Sequence, residues 1–447
     1  MNNKKTIDFL HFVGPTSEQE IVLREMEEFV KEDNQLDFLI LCGAAGTGKT
    51  SVTAALIGYL NYLNRPYKIA APTGRAARIL GRKARTTTST IHSLIYTPKS
   101  DTDSGKVTFK LRKGFNETPI IYIIDEASMI SKEVDRTDTL FEVEEGLIYD
   151  LLNYVKAGNV NNKIVFLGDR YQLPPIGETK SYALDKEFLE KTFNLKGASF
   201  LLTEVKRQED GSYILENAKE IRKAIDENKL QHPITGKQSR NIYNAADNYV
   251  SRIKSNGLEN TIAIGVSHKA NKFFNDLVRE RIFGRAKKIL ESGDLLMVTQ
   301  NWHRNGVDLY NGDHVELLSV DWGIQEQVAG LHFVALEIKL LFNNSDTIIE
   351  DIALIDTILS PGGKIDRKLE NELRRQRYIK NKIFQSSNMP SDDRYVGALR
   401  LIYGHAITCN KAQGGEWKKV FINTLGIPSL KWQYTAVTRG IDEIEKF

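Results

Sequence analysis

Four stretches in the first 200 residues are apolar almost throughout: FLILCG (38–43), KIAAPT (68–73), IIYIID (120–125) and KIVFLG (163–168). Runs of this length without period-two alternation read as parallel strands covered by helices on both faces. A helical stretch follows the first of them, from Lys49 to about Leu63. The pattern predicts a doubly wound α/β domain over residues 1–200. Between Leu94 and Thr118 the pattern changes. SLIYT leads into the turn-rich SDTDSG and then KVTFKLR, where Val107, Phe109 and Leu111 alternate with Lys106, Lys110 and Arg112. This predicts a β-hairpin inserted at about 94–117, apolar on one face and basic on the other. KEVDRTDTLFEVEEG (132–146) reads as an acidic surface insertion.

A second α/β unit is expected to begin near Phe200, with strands TIAIGVS (261–267) and VFINT (420–424). It is interrupted. Residues 288–397 read mostly as β, through DLLMVTQ, HVELLSV and HFVALEIKLLF, and carry a charged helix candidate at 366–384. The expected division is therefore 1–200, then 201–287 with 398–447, and an insertion domain at 288–397.

Composition adds boundaries rather than function. The chain has 447 residues, 41% hydrophobic and 27% charged, which suits a soluble globular protein with a sizeable core. A net charge of +3 is too small to argue for a nucleic-acid partner, so any such surface must be local. Cys42 and Cys409 are the only cysteines, which argues for a reducing, cytoplasmic setting with neither a disulfide framework nor a zinc site. The N-terminal segment lacks the apolar run of a signal peptide, and no stretch approaches the roughly 20 apolar residues of a membrane span.

Chemistry enters with GAAGTGKT. Gly43, Ala44, Ala45, Gly46, Thr47, Gly48, Lys49 and Thr50 fit G-x-x-x-x-G-K-[ST], after a predicted strand and at the start of a helix. The glycines let backbone N–H groups close on phosphates at a helix N-terminus. Lys49 would reach the β- and γ-phosphates of ATP, and the Thr50 hydroxyl would ligate Mg²⁺. Asp125 ends an apolar strand, where its carboxylate is placed to hold the same ion, and Glu126 is placed to orient or deprotonate the attacking water. These motifs alone define a P-loop NTPase, a class with many functions.

The remaining motifs resemble those of superfamily 1 helicases, subgroup B, the branch of RecD, Dda and the PIF family. The resemblance runs in order along nearly the whole chain. Thr16-Ser17-Glu18-Gln19 looks like the adenine-reading motif, with Gln19 as reader. AAPTGRAAR (70–78) and STIHSLI (89–95) look like motifs lining the single-strand track, which makes Pro72, Thr73, Gly74, Arg75 and His92 DNA candidates. GDRYQLPPIG (168–177) looks like motif III, with Gln172 sensing the γ-phosphate. LTEVKRQ (202–208) looks like motif IV, with Arg207 as an arginine finger. YGHAITCNKAQGGEW (403–417) looks like motif V. Thr408, Lys411 and Gln413 would face DNA and Glu416 the nucleotide ribose, although Asn410 stands where the family usually has His. WQYTAVTRG (432–440) looks like motif VI, with Arg439 as a second cation for the γ-phosphate.

The insertion resembles the family's small SH3-like barrel through GDLLMVTQNWHRNGVDLYNGD (293–313), with a hairpin turn at Asn311-Gly312. Its Trp302, His303 and Tyr310 are either base-stacking or core residues. The basic stretch 364–382 is either a DNA contact or a solvated face.

The fold implied is two RecA-like P-loop domains, with a β-hairpin in the first and an SH3-like insertion in the second. ATP would sit in the cleft between them. The activity implied is an ATP-dependent DNA helicase, cytoplasmic, working as a monomer on single-stranded and forked DNA and travelling 5′ to 3′. A translocase that remodels protein–DNA complexes without unwinding would carry identical motifs. A P-loop kinase would not need two distant arginines. Relatives continue into another strand beyond motif VI, so with the chain ending at Phe447 the tail is either short or trimmed.

Overall fold

The computed structural model describes residues 4–11, 14–100, 107–134, 145–204, 213–285, 287–304, 306–341 and 347–447, with the side chains of 83, 98–100 and 107–109 excepted. It divides into two compact units, residues 1–99 with 108–210 and residues 100–107 with 211–447.

The first unit is built on β1 (Phe38–Gly43), β2 (Tyr67–Ala71), β3 (Ser89–Thr90), β4 (Tyr96–Ser100), β5 (Val107–Leu111), β6 (Ile121–Ile124), β7 (Lys163–Gly168) and β8 (Gly197–Leu202). Six of these form one sheet in the order β3-β2-β6-β7-β1-β8, and every pairing in it is parallel. The apolar runs fill both faces of this sheet. Leu39 and Leu41 of β1 pack with Val52, Leu56 and Leu60 of the Lys49–Tyr62 helix and with Leu23 and Met26 of the Ser17–Phe29 helix. Phe38, Ile40 and Cys42, the alternate set, pack with Tyr122, Phe166 and Leu151 on the other face. Period-two alternation thus exists in direction, while both directions are apolar.

β4 and β5 pair as a two-stranded sheet of their own, the hairpin expected from the alternation. Its tip, with Lys106, lies outside the described residues, as do the side chains of Val107 and Phe109. Most of the expected acidic insertion, residues 135–144, lies outside them too. The boundary expected at 200 needs correcting. It falls inside β8, which pairs with β1 from Phe38↔Gly197 to Gly43↔Leu202, so the first sheet owns this strand.

The second unit holds β9 (Lys237–Gln238), β10 (Thr261–Gly265), β11 (Leu295–Val298), β12 (Trp302–Arg304), β13 (Val307–Leu309), β14 (His314–Val328), β15 (Leu331–Leu340), β16 (Ile348–Leu354), β17 (Leu399–Tyr403), β18 (Ala406–Thr408), β19 (Trp417–Ile422) and β20 (Gly440–Lys446). A parallel sheet β18-β10-β19-β20-β9 forms the α/β part. Its core gathers Tyr249, Ala263, Phe274 and Phe421. The insertion is a closed barrel, β11-β14-β15-β16-β17, filled by Leu296, Val315, Leu317, Val334, Leu336 and Leu401.

The insertion's expected end at 397 also needs correcting. β17 (399–403) pairs with β11 and β16 and closes the barrel, and the chain re-enters the α/β sheet only at β18. The charged candidate at 366–384 is helical as Arg367–Lys380 and Lys382–Ser387. Residues 440–446 themselves supply a strand after motif VI. Among the described residues no helix is long and apolar enough to cross a membrane.

One buried side chain gives the second unit a pH dependence. His405 is fully buried, edge-on to Tyr249 at 5.7 Å between centroids, and neither ring nitrogen has a hydrogen-bond partner among the described residues. Burial, with Arg279 nearby, pushes its pKa down to about 3. The unfolded chain binds this proton near pH 6.5 and the folded one does not, so stability rises with pH between about 3 and 6.5. Each pH unit in that window is worth up to about 1.4 kcal/mol. His405→Met, which keeps an apolar filler there, is expected to flatten the pH dependence of the urea midpoint between pH 4 and 6.5. An unchanged slope would locate the acid sensitivity elsewhere.

Candidate nucleotide and DNA sites

The carboxyl ends of the first sheet carry most of the residues singled out above. β1 runs into the glycine loop, with Gly46 at φ +83° and Gly48 at φ +85°, conformations that glycine adopts at little cost. A Cβ on Gly43 would come within 2.5 Å of the Thr47 Oγ1. Thr47 donates from that oxygen to the Ala44 carbonyl at 2.9 Å, which holds the loop closed on itself. Lys49 opens the following helix, and its ammonium donates to the carbonyls of Gly43 and Ala44. Thr50 follows in the helix's first turn.

Gln19 has a role that the sequence reading missed. It is 1% exposed and closes a reciprocal cap with Thr16: its Oε1 accepts from the Thr16 N–H at 3.0 Å, and its own N–H donates to Thr16 Oγ1 at 3.2 Å. Its Nε2 donates to the Thr47 carbonyl at 2.9 Å. This side chain therefore braces the glycine loop with the same amide that the resemblance assigns to adenine. A Cβ on Gly48 would meet its Nε2 at 2.4 Å, so a side chain there would displace the amide that braces the loop.

Asp125 and Glu126 follow β6 directly. Glu126 sits at φ +49°, ψ +37°, a left-handed conformation costing a non-glycine residue about 1–2 kcal/mol. The turn sustains it: the Glu126 N–H donates to Asp125 Oδ1 at 2.9 Å, and its carbonyl accepts from the Met129 N–H at 3.0 Å. After β7, the buried Asp169 shapes the next turn. Its Oδ1 accepts from the Tyr171 N–H at 3.0 Å, and its carbonyl from the Gln172 N–H at 3.1 Å. Gln172 is 5% exposed, and its amide oxygen has no partner among the described residues. The Cys42 thiol, beside Asp169, is pushed up to about 11 by burial and stays protonated.

Sheet order sorts these residues. β6, β7 and β1 are consecutive neighbours and bring Asp125, Glu126, Gln172 and the glycine loop to one stretch of the sheet end. β2 and β3 lie side by side at the sheet edge and end in the DNA candidates. Pro72 and Thr73 follow β2. The Thr73 Oγ1 caps the Gly74–Ala84 helix by accepting from the Ala76 N–H at 3.2 Å, and Arg75 is buried in that helix's first turn. His92 lies in the Ile91–Ile95 helix after β3, half-buried against the Tyr96 ring at 5.7 Å.

In the second unit, Thr408 ends β18 and begins the Cys409–Ala412 turn of helix. Lys411 donates to Asn311 Oδ1 at 2.7 Å, which ties motif V to the Asn311-Gly312 turn beside the barrel, and burial holds its ammonium below the ordinary lysine value. Gln413 is buried and Glu416 exposed. Trp302 belongs to the barrel core and donates to Asp351 at 2.9 Å, which removes it as a base-stacking candidate. Arg439 is buried inside its own unit, donating to the carbonyls of Thr435 at 3.0 Å and Gly415 at 3.2 Å and to Thr438 Oγ1 at 3.1 Å. It and Glu416 precede the paired strands β20 and β19, at the end of the sheet opposite Thr408. Arg207 lies outside the described residues.

A family model described as an AAA domain matches residues 18–235, and one described as a UvrD-like helicase C-terminal domain matches 403–442, so that the two together cover more than half of the chain. An uncharacterised protein of Methanocaldococcus jannaschii is 31% identical over 235 residues, 50% of this chain and 18% of that protein. The ATP-dependent RecD2 DNA helicase of Deinococcus radiodurans is 30% identical over 145 residues, 31% of this chain and 16% of its own length. The matched segments thus span about a third or less of these curated relatives. Among solved structures, two coordinating Pif1 helicases described for unwinding at forked duplex DNA share the fold with a TM-score of 0.51 and 17% identity, covering 96% of this chain and 91% of that one. Pif1 from Bacteroides in complex with ADP-AlF3 and single-stranded DNA gives 0.50 and 17%, covering 97% and 92%.

Proposed function

Because the chain belongs to the superfamily 1 helicases of subgroup B, we propose that it is an ATP-driven motor that moves along single-stranded DNA and unwinds the duplex ahead of it. The observation that carries this reading is the sheet order of the first unit. One parallel sheet ends in a nucleotide set on β6, β7 and β1 and in a DNA set on the neighbouring β2 and β3. A shift at the phosphate end has a path of two strands to the DNA end. One solved relative is in complex with single-stranded DNA and another is described for unwinding at forked duplex DNA, and we take both kinds of DNA as this chain's partners. The direction we take from the resemblance to the subgroup, 5′ to 3′.

Lys49, Thr50, Asp125, Glu126 and Gln172 would act on ATP, with Gln19 bracing the loop. Arg439 and Arg207 would supply cations to the γ-phosphate, and Glu416 a contact to the ribose. Thr50 and Asp125 offer a hydroxyl and a carboxylate, hard oxygen donors that suit Mg²⁺. Among the described residues no cluster of three or more metal-binding side chains exists, and Mg²⁺ at phosphates characteristically uses few protein ligands. When bound, the ion would neutralise charge on the β- and γ-phosphate oxygens. Thr73, His92, Thr408, Lys411 and Gln413, with the backbone at Pro72, Gly74 and Arg75, would track the strand.

The test is ATP hydrolysis with and without a dT oligonucleotide. Strong stimulation is expected. Displacement of streptavidin from a 3′-biotin, and not from a 5′-biotin, is expected from the direction. ATP hydrolysis indifferent to DNA would refute the motor.

A further inference from the structure

The first turn of the Ser17–Phe29 helix faces two ways. Gln19 turns inward and donates to the Thr47 carbonyl of the glycine loop at 2.9 Å. Glu18, half-buried beside it, holds a different segment. Its Oε2 accepts from the Thr203 N–H at 2.6 Å and from the Glu204 N–H at 3.0 Å. Its Oε1 accepts from the Thr203 hydroxyl. Ser17 adds a fourth bond, its Oγ donating to Glu204 Oε1 at 3.2 Å. All of these groups belong to the first unit.

Thr203 and Glu204 are the first residues after β8, where the chain leaves the sheet. The last residue of β8, Leu202, pairs with Gly43, the first glycine of the loop. A Cβ on Gly43 would stand 3.1 Å from the Leu202 Cβ. The exit therefore lies beside the phosphate loop, and Arg207 follows Glu204 by three residues in the chain. Past Leu202 the sheet has ended, and the Thr203 and Glu204 N–H groups both end on one carboxylate oxygen. Hydrogen bonds to an ionised acceptor are roughly twice as strong as neutral ones. Burial alone would raise the Glu18 pKa. The Thr203 hydroxyl and the two backbone N–H groups outweigh it and hold the carboxyl below its ordinary value, so it is ionised at neutral pH. A carboxylate in the first turn of a helix also suits the helix dipole. That accounts for an acid at this position, but not for its direction. The partners of Glu18 lie 185 and 186 residues on, outside its own helix.

We propose that Glu18 is a positioning residue for ATP hydrolysis: it fixes the exit of β8, so that the segment bearing Arg207 starts from a set point beside the glycine loop. The proposal rests on the motor reading above, with Arg207 as its arginine finger. It gives Glu18 no contact with the nucleotide. Glu18 acts through Arg207, because a finger three residues past a loose anchor reaches the γ-phosphate in fewer of its conformations. Misplacement on the order of 1 Å costs about 10²-fold in rate.

The test is steady-state ATP hydrolysis with a saturating dT oligonucleotide. It compares the wild-type chain, Glu18→Ala, Glu18→Gln and Thr203→Val, each also combined with Arg207→Ala. Matching thermal melts establish that each variant is folded. Glu18→Ala is expected to lower kcat about ten- to a hundredfold and to leave KM for ATP within a few-fold. Glu18→Gln keeps an oxygen for both N–H groups and should restore most of kcat. Thr203→Val loses only the hydroxyl and should fall in the same direction by less; Thr203 is exposed, so this variant carries the same cycle should Glu18→Ala not fold. With Arg207 already replaced, Glu18→Ala should cost nothing more, the non-additivity of two residues acting as one. A full further loss in that background would overturn the proposal, as would a folded Glu18→Ala with wild-type kcat. A raised KM or a lost preference for ATP over GTP, with kcat intact, would assign the effect to Gln19 and overturn it too. Arg207→Ala at wild-type turnover would overturn the arginine finger on which the proposal stands. ATP hydrolysis indifferent to DNA would overturn the motor reading itself.

Discussion

Lys49→Ala will nearly abolish ATP turnover, and Glu126→Gln will leave the protein binding nucleotide without hydrolysing it. The two substitutions fail for different reasons. The Lys49 ammonium lies among the carbonyls of the loop that would cradle the phosphates, so its loss removes the loop's own cation from the transferred group. Glu126 is held by its backbone, through Asp125 Oδ1 and the Met129 N–H. An isosteric amide therefore keeps the left-handed turn and loses only the ability to take a proton. General-base catalysis is worth about 10²–10⁴ in rate, and that is the expected loss in kcat. Binding of a fluorescent ATP analogue should stay within a few-fold of wild type for Glu126→Gln. If that variant hydrolyses ATP at the wild-type rate, Glu126 is not the base.

These sites are legible in the sequence because their signals are local. A buried parallel strand is a continuous apolar run, so β1, β2, β6 and β7 stand out, and chemistry placed at strand ends follows them by one or two residues. Where that logic fails, the reason is equally physical. β8 reads GASFLL, with a polar residue and a half-exposed face, because it is an edge strand, so the apolar pattern places the boundary inside it. The apolar run of β17, Leu399–Tyr403, continues almost directly into β18, so residues 398–447 read as one α/β piece. Only pairing tells the two apart, and pairing is non-local. The same limit hid the second use of Gln19, whose partner Thr47 is 28 residues away, and the Lys411–Asn311 bond across 100 residues. Glu18 stands inside the motif that is read for Gln19, and its partners Thr203 and Glu204 lie 185 and 186 residues on.

Replacing residues 98–114 with a short Gly/Ser linker is expected to leave single-strand-stimulated ATP hydrolysis largely intact and to reduce unwinding of a forked duplex sharply. The hairpin β4–β5 is a sheet of its own, contributing no strand to the six that carry the candidate nucleotide and DNA residues. It leaves the chain directly after the helix bearing His92 and returns before β6, so it is rooted at the DNA edge of the sheet order. Its root is anchored by the Arg112 N–H to the Ile95 carbonyl at 2.7 Å and the Arg112 Nε to the Tyr96 carbonyl at 2.6 Å. Tyr96 in turn donates to Asp150. A linker that spares Tyr96 but removes Arg112 loses two of these bonds, so a milder variant is needed beside it. Replacing only residues 100–107 keeps Arg112 and Tyr96 and removes the tip. A motor that pulls one strand needs a rigid element to keep the strands apart, and a hairpin too small to carry a core of its own is rigid only near such a root. If both variants lose unwinding and keep ATP hydrolysis, the hairpin is the wedge. If hydrolysis falls with unwinding in the tip variant, the segment supports the fold of the first unit. If unwinding survives in both, strand separation happens elsewhere on the chain.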